Sequence, residues 1–340
     1  MVAKKLFIRS TRTLAGAVLL LGVGAATTAA TAADFTMKIG LGTFKDVQHQ
    51  WADWMKETIE AKSNGRIEVQ VFPKSQLGNI FRMVEGVQLG TIESVVAPMD
   101  FYAGIDPKFG VFSIPVLFKD KTNASKALLD ADLNKEIRSI GGDKNVVTIS
   151  VFPHSTAHYF GKNPIRRLDD FKGLKLRVNA TAAEREKMSR FGATAVPMPL
   201  NEVVPGLQRG TIDGTMSGTV VYVVFKFNQV GKVLTQTNDT MILSAGLVSK
   251  AWLDKLPADL QKVVLDAGVE LQAKTSEFSD TSETAMVERW KAEGGELISL
   301  PEEDLATIRT SLASVGEDVT KDDPALNAFY KKVQATASKY

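Results

Sequence analysis

The run Leu174-Lys175-Leu176-Arg177-Val178 alternates apolar and cationic residues. In a strand, Leu174, Leu176 and Val178 would share one face and Arg177 would stand on the other. A guanidinium is a rigid, permanently charged fork of five donors, able to take a carboxylate in two parallel hydrogen bonds. Asn179, two positions on, either adds a polar contact or starts a turn. A lone strand arginine is commonly just a solvated residue, so this one needs support from its surroundings.

Catalysis has no comparable foothold. The histidines are His49, His154 and His158, and the last two, four apart, would suit a metal if they shared a helix. They follow Pro153 where the chain reads as leaving a strand for a loop, so no metal is expected. There is no H-E-x-x-H, no G-x-S-x-G and no phosphate-binding loop, and Gly-Thr-Met-Ser-Gly at 214–218 puts Ser217 one position off a nucleophile elbow. Cysteine is absent, which removes a disulfide framework, a thiolate metal site, a Cys nucleophile and a lipoprotein anchor. No cofactor is implied.

The elements around Arg177 read as α/β. Phe35–Gly42 alternates like a half-buried strand; Val47, Trp51, Trp54, Met55 and Ile59 keep helical spacing up to Asn64-Gly65; Arg66–Phe72 is a second strand ended by Pro73. This βαβ order predicts a mainly parallel sheet, with ligands beyond the carboxyl ends of its strands. Around Arg177 the order is strand, helix, strand, with Thr181 as the cap of a helix through Arg190.

A phrase recurs: Gly-Val-Gln-Leu-Gly-Thr-Ile-Glu-Ser at 86–94 and Gly-Leu-Gln-Arg-Gly-Thr-Ile-Asp-Gly at 206–214. Each reads as a helix, a turn at Gly90 or Gly210, and a strand. The first strand delivers Met99, Asp100, Phe101 and Tyr102, the second Met216, Ser217 and Gly218. Two such units, one per domain, would aim at a shared cleft, and 340 residues suffice for two domains.

The N-terminus is laid out as a signal peptide: Lys4, Lys5, Arg9 and Arg12, an apolar run from Leu14 to Val23, then small residues with cleavage expected near Ala33. Ten apolar residues are too few to span a bilayer, for which ~20 are needed. Residues 1–33 carry four of the 41 basic residues and none of the 39 acidic ones, so the remainder holds 37 against 39, a net charge of −2. That balance gives no reason to expect nucleic acid or an anionic membrane surface as partner, and the periplasm is the expected destination.

Five ordered stretches, Lys62–Asn79, Val87–Ser94, Pro164–Val178, Phe191–Gly214 and Leu247–Gly268, resemble the solute-binding subunits of TRAP transporters over nearly all of the chain after the leader. The resemblance implies a two-domain periplasmic binding protein with mixed, mainly parallel sheets flanked by helices. It closes by hinge motion over an organic acid and delivers it to a membrane permease. The expected division is 34–155 with about 243–280, and 156–242 with about 281–340. A long helix is expected to span both domains, and the proline-free helical spacing of 258–293 supplies it.

Carried over residue by residue, the resemblance makes Arg177 the main carboxylate ligand. Thr156 stands where a second basic residue is common, Ser217 where an Asn often orients the arginine, and Leu200 where many members carry an aromatic. These departures favour a monocarboxylate with an apolar or aromatic body over a dicarboxylate or sialic acid. Thr43, Phe44 and His49 follow the first strand, where the family contributes ligand contacts. For Phe44, Phe101 and Tyr222 core packing and a pocket role stand side by side. Asp100 is either a ligand contact or a surface carboxylate. A neutral polyol or sugar as ligand, and a periplasmic enzyme, are the competing readings.

Overall fold

A computed structural model describes residues 33–179 and 181–340. The expected signal peptide, apart from Ala33, lies outside the described residues. The expected βαβ start is present: β1 (Phe35–Leu41), the helix Val47–Lys62 and β2 (Ile67–Phe72), with the two strands parallel. The helix buries Val47, Trp51, Met55 and Ile59, which fall one turn apart, and it ends where Asn64 and Gly65 turn to positive φ. Asp46 caps its other end, accepting from the His49 N–H at 3.0 Å.

The remaining strands are β3 (Ser94–Pro98), β4 (Val146–Gly161), β5 (Lys175–Val178), β6 (Thr194–Pro197), β7 (Gly214–Gly218), β8 (Val233–Ser249) and β9 (Glu296–Ser299). They form one sheet in the order β2-β1-β3-β8-β4-β7-β5-β6, with β9 on β8. The long antiparallel strands β4 and β8 serve both ends of it. The carboxyl half of β8 continues to β3, β1 and β2, and the carboxyl half of β4 continues to β7, β5 and β6. The pairings outward from the two long strands are parallel on each side, β1 with β2 and β3, and β5 with β6 and β7.

Pro153 corrects one expectation. It does not end a strand: β4 runs through it to Gly161, so His154 and His158 are strand residues rather than the start of a loop. The β4–β8 register shifts between Pro153 and Ser155, and such an irregularity tolerates a residue with no N–H to donate.

The recurring phrase proves to be one helix-ending device used twice. The helices Ile80–Leu89 and Val203–Arg209 both stop at a glycine in the left-handed region, Gly90 at φ 77° and Gly210 at φ 75°. In each, the next threonine returns its N–H to the glycine four residues before the turn, Thr91 to Gly86 at 2.9 Å and Thr211 to Gly206 at 3.0 Å. Ile92 and Ile212 then fold back into the core against those same glycines. The chain leaves each turn directly into β3 or β7.

The helix Ala258–Ala292 is continuous over 35 residues and packs on the helix Val47–Lys62, on β4 and on the helix Thr219–Val224. Its Glu283 accepts from the Ser155 hydroxyl and the Thr156 N–H and pairs with Lys121 at 2.6 Å. Near the C-terminus, Val315–Thr320 packs on the helix Ala182–Arg190, and Pro324–Ala337 packs on the helices Lys108–Val111 and Lys121–Leu129.

Candidate ligand-binding site

The carboxyl ends of the parallel strands converge. Thr43 follows β1, Ser75 follows β2, Phe101 follows β3, Asn179 follows β5, Leu200 follows β6, and Ser217 closes β7. All six line one enclosed cavity, whose remaining wall comes from the shared strands through His154 of β4 and Ile242 of β8. It measures about 50 Å³, room for a few water molecules. Both halves of the sheet wall this space.

Arg177 lines this cavity at 2% exposure. Its Nε–H donates to the Met198 carbonyl at 2.8 Å, the one hydrogen bond the guanidinium makes among the described residues. No described carboxylate lies within salt-bridge distance of it. The guanidinium carbon sits 5.9 Å from the Phe101 ring centroid, a cation–π distance. Burial lowers the Arg177 pKa to about 10, against the opposing charges of Glu184, Tyr222 and Asp100. Neither terminal nitrogen has a hydrogen-bond partner among the described residues.

Asn179 holds the end of β5 to the opposite half of the sheet. Its side-chain N–H donates to Asp100 at 2.8 Å, and its backbone N–H donates to Glu184 at 3.0 Å. Thr181 caps the helix Ala182–Arg190 as expected, and its hydroxyl accepts from the Ser113 hydroxyl at 2.8 Å. Asp100 is buried behind the cavity rather than on the surface. Burial first, and the Glu184 charge second, push its carboxyl up to about 7, while the Asn179 bond opposes them.

The other expected residues divide. Thr43, Phe101, Leu200 and Ser217 line the cavity beside Arg177 and Asn179. Thr156 lies elsewhere, on a separate depression with Lys119 and Lys121, its N–H committed to Glu283. Phe44 and His49 pack on one another at 4.8 Å, with Lys74 over the Phe44 ring. Met216 is buried with its sulfur 2.9 Å from Lys187 Nζ. Tyr222 is a core residue whose hydroxyl donates to the His158 carbonyl at 2.7 Å, among Phe160, Phe227 and Trp290.

One side of the site adds Asp46, Gln48 and Ser244, which no sequence pattern singles out, to His154 and Thr43. His154 Nε2 stands 3.1 Å from Asp46 Oδ2, and its Nδ1 is 3.2 Å from both Ser244 Oγ and Gln48 Nε2. Gln48 in turn donates to Ser244 Oγ at 2.8 Å and accepts from the Thr43 hydroxyl at 3.1 Å. Although burial raises the Asp46 pKa, hydrogen bonding and charge from His154 keep it below the usual carboxylate range. Serine, histidine and aspartate stand in line here, but Ser244 is fully buried and engaged by Gln48, so it cannot reach a substrate. Proximity in the fold is the only signal linking these residues; Gln48 and Ser244 lie 196 positions apart.

Residues 42–322 match the model of the bacterial extracellular solute-binding proteins, family 7. A solute-binding protein of Verminephrobacter eiseniae is 32% identical over 242 residues, 70% of this chain and 72% of that one. The 2,3-diketo-L-gulonate-binding periplasmic protein of Escherichia coli is 26% identical over 85% of this chain and 88% of its own. The solved TRAP periplasmic solute-binding protein of Xanthobacter autotrophicus, with bound β-D-galacturonate, superposes with a TM-score of 0.81 at 26% identity, covering 88% of this chain and 99% of the other.

Proposed function

The chain belongs to family 7 of the bacterial extracellular solute-binding proteins, and we propose that it is the periplasmic receptor of a TRAP-type uptake system that captures a small organic acid by its carboxylate. One observation carries this: Arg177, a buried cation lining the cavity, has two donor-bearing nitrogens with no protein partner among the described residues. A buried charge costs several kcal/mol unless it is paired, so such an arrangement makes sense where an anionic ligand completes it. Two relatives are named or solved with sugar acids, 2,3-diketo-L-gulonate and β-D-galacturonate, each with a single carboxylate.

The ligand proposed is a monocarboxylate whose body lies on the apolar wall of Phe101, Leu200, Val221 and Ile242. Capture proceeds by hinge closure. The carboxylate docks on Arg177, the opposite half folds over the remainder, and contacts made only in the closed state favour it. Delivery to a membrane permease follows, with no chemical step and no cofactor. No described helix is long and apolar enough to cross a membrane, and residues 1–33 are proposed to direct export to the periplasm.

The test is native mass spectrometry of the purified protein, followed by identification of the released small molecule and calorimetry with the authentic compound. A co-purifying carboxylic acid that binds with micromolar or tighter affinity is expected. A neutral sugar or polyol as the sole cargo, or turnover of the compound, would reject the reading.

A further inference from the structure

The two halves of the sheet meet outside the ligand cavity as well as around it. Asp100 lies in the turn Met99–Tyr102 beyond β3, and Ser113 follows the helix Lys108–Val111, which packs on that turn. Asn179 and Thr181 follow β5, on the opposite half. Asn179 Nδ2 donates to Asp100 Oδ2 at 2.8 Å, and Ser113 Oγ lies 2.8 Å from Thr181 Oγ1. Each bond thus joins one half to the other. All four residues are buried, and Asp100, Ser113 and Thr181 do not line the cavity.

The groups are positioned within each half before they meet. Glu184 Oε1 accepts from the Asn179 N–H at 3.0 Å, and its Oε2 accepts from the Thr181 N–H at 3.0 Å, so one buried carboxylate sets both residues. On the other half, Ser113 Oγ is 2.7 Å from the Gly110 carbonyl, and a Cβ added at Gly110 would lie 3.7 Å from the Thr181 methyl. Contacts already oriented on each side lose little side-chain freedom when they join. We propose that Asn179–Asp100 and Ser113–Thr181 form a closure latch, two protein–protein bonds made only when the halves meet, which favours the shut receptor whatever the cavity holds. Asp100 and Ser113 are then positioning residues: they set affinity without touching the acid, because the ligand supplies only the part of closure that the latch does not. The inference rests on the hinge-closure reading and names the contacts that bias it.

The chain has no cysteine. Glu57→Cys on the helix Val47–Lys62 and Gln208→Cys on the helix Val203–Arg209 therefore place one spin label on each half, both at exposed positions. Double electron–electron resonance on the labelled protein, unfolded and refolded to free it of cargo, reads the closed and open fractions. The labelled parent is expected to show a closed distance matching the described structure beside a longer, open one. Losing one bond changes the closed-to-open ratio by about three- to tenfold, so Ser113→Ala and Asp100→Ala should each shift the distribution towards the longer distance by that factor. Asp100→Asn still offers an oxygen to Asn179 Nδ2 and should keep the parent ratio, which ties the effect to the bond rather than to the charge. Ser113→Ala, the smaller change, carries the test alone if Asp100→Ala does not fold.

A parent that populates both distances while Ser113→Ala and Asp100→Ala keep its ratio would overturn the latch and leave hinge closure standing. A parent found wholly at the open distance would overturn it too. One unchanging distance in the parent and in every variant would remove hinge closure itself, and the latch with it.

Discussion

Replacing Arg177 by methionine removes the guanidinium but keeps an unbranched side chain of similar reach in the same strand. The structure sets opposite signs for its two effects. A carboxylate held by both terminal nitrogens makes two charge-assisted hydrogen bonds of about 1.5–3 kcal/mol each, so their loss weakens binding by about two to four orders of magnitude. The fold loses only the Nε–H bond to the Met198 carbonyl, worth about 1 kcal/mol, and is relieved of a buried charge with no salt-bridge partner among the described residues. Without ligand, Arg177→Met should therefore melt at the wild-type temperature or above it. Arg177→Lys keeps the charge but not the fork, and should lose about tenfold or more. Differential scanning fluorimetry without ligand, paired with calorimetry on the co-purified acid, reads both effects. A variant that melts about 10 °C lower while binding within threefold of wild type would show the guanidinium to be a structural strut, and the reasoning would fail.

Other perturbations test the frame around the site. Asp100 has a folded pKa of about 7, above the ordinary 3.8, so the folded state holds its proton more tightly than the unfolded state. The stability this gives is present at low pH and is lost as pH rises from about 4 to 7. Melting temperature should thus fall between pH 6 and pH 8 by about 2 °C or more, and Asp100→Asn, which still accepts from Asn179, should flatten the fall. Lys187→Met leaves Asp239 buried and unpaired and should cost about 3–5 kcal/mol in urea denaturation, with Asp239→Asn in the same chain recovering much of it. Gly210→Ala should cost about 1–2 kcal/mol for its left-handed backbone, and Gly90→Ala somewhat more, because the new Cβ also meets Ala251 Cβ at 3.3 Å.

What was legible in the sequence was local. The Thr181 cap, the Gly90 and Gly210 turns, the unbroken helix Ala258–Ala292 and the placement of Arg177 in β5 each follow from a few neighbouring residues whose backbone preferences agree. What escaped was non-local. Pro153 reads as a strand ending, yet the register shift in the β4–β8 ladder absorbs it, and no local pattern reports its partner strand. Asp100 could not be assigned because its environment is made by Asn179 and Glu184, about 80 positions away. Thr156 occupied the expected stretch, but the irregular register of β4 gives the cavity His154 and commits Thr156 to Glu283 on the long helix. The polar wall of Asp46, Gln48 and Ser244 joins three parts of the chain that only the folded sheet brings together.

The most direct measurement is a crystal structure of the protein with its natural acid bound. The account predicts the carboxylate oxygens within about 3 Å of Arg177 Nη1 and Nη2, enclosed between Phe101 and Ser217. A carboxylate held by other side chains, or a guanidinium turned away from it, would contradict the account.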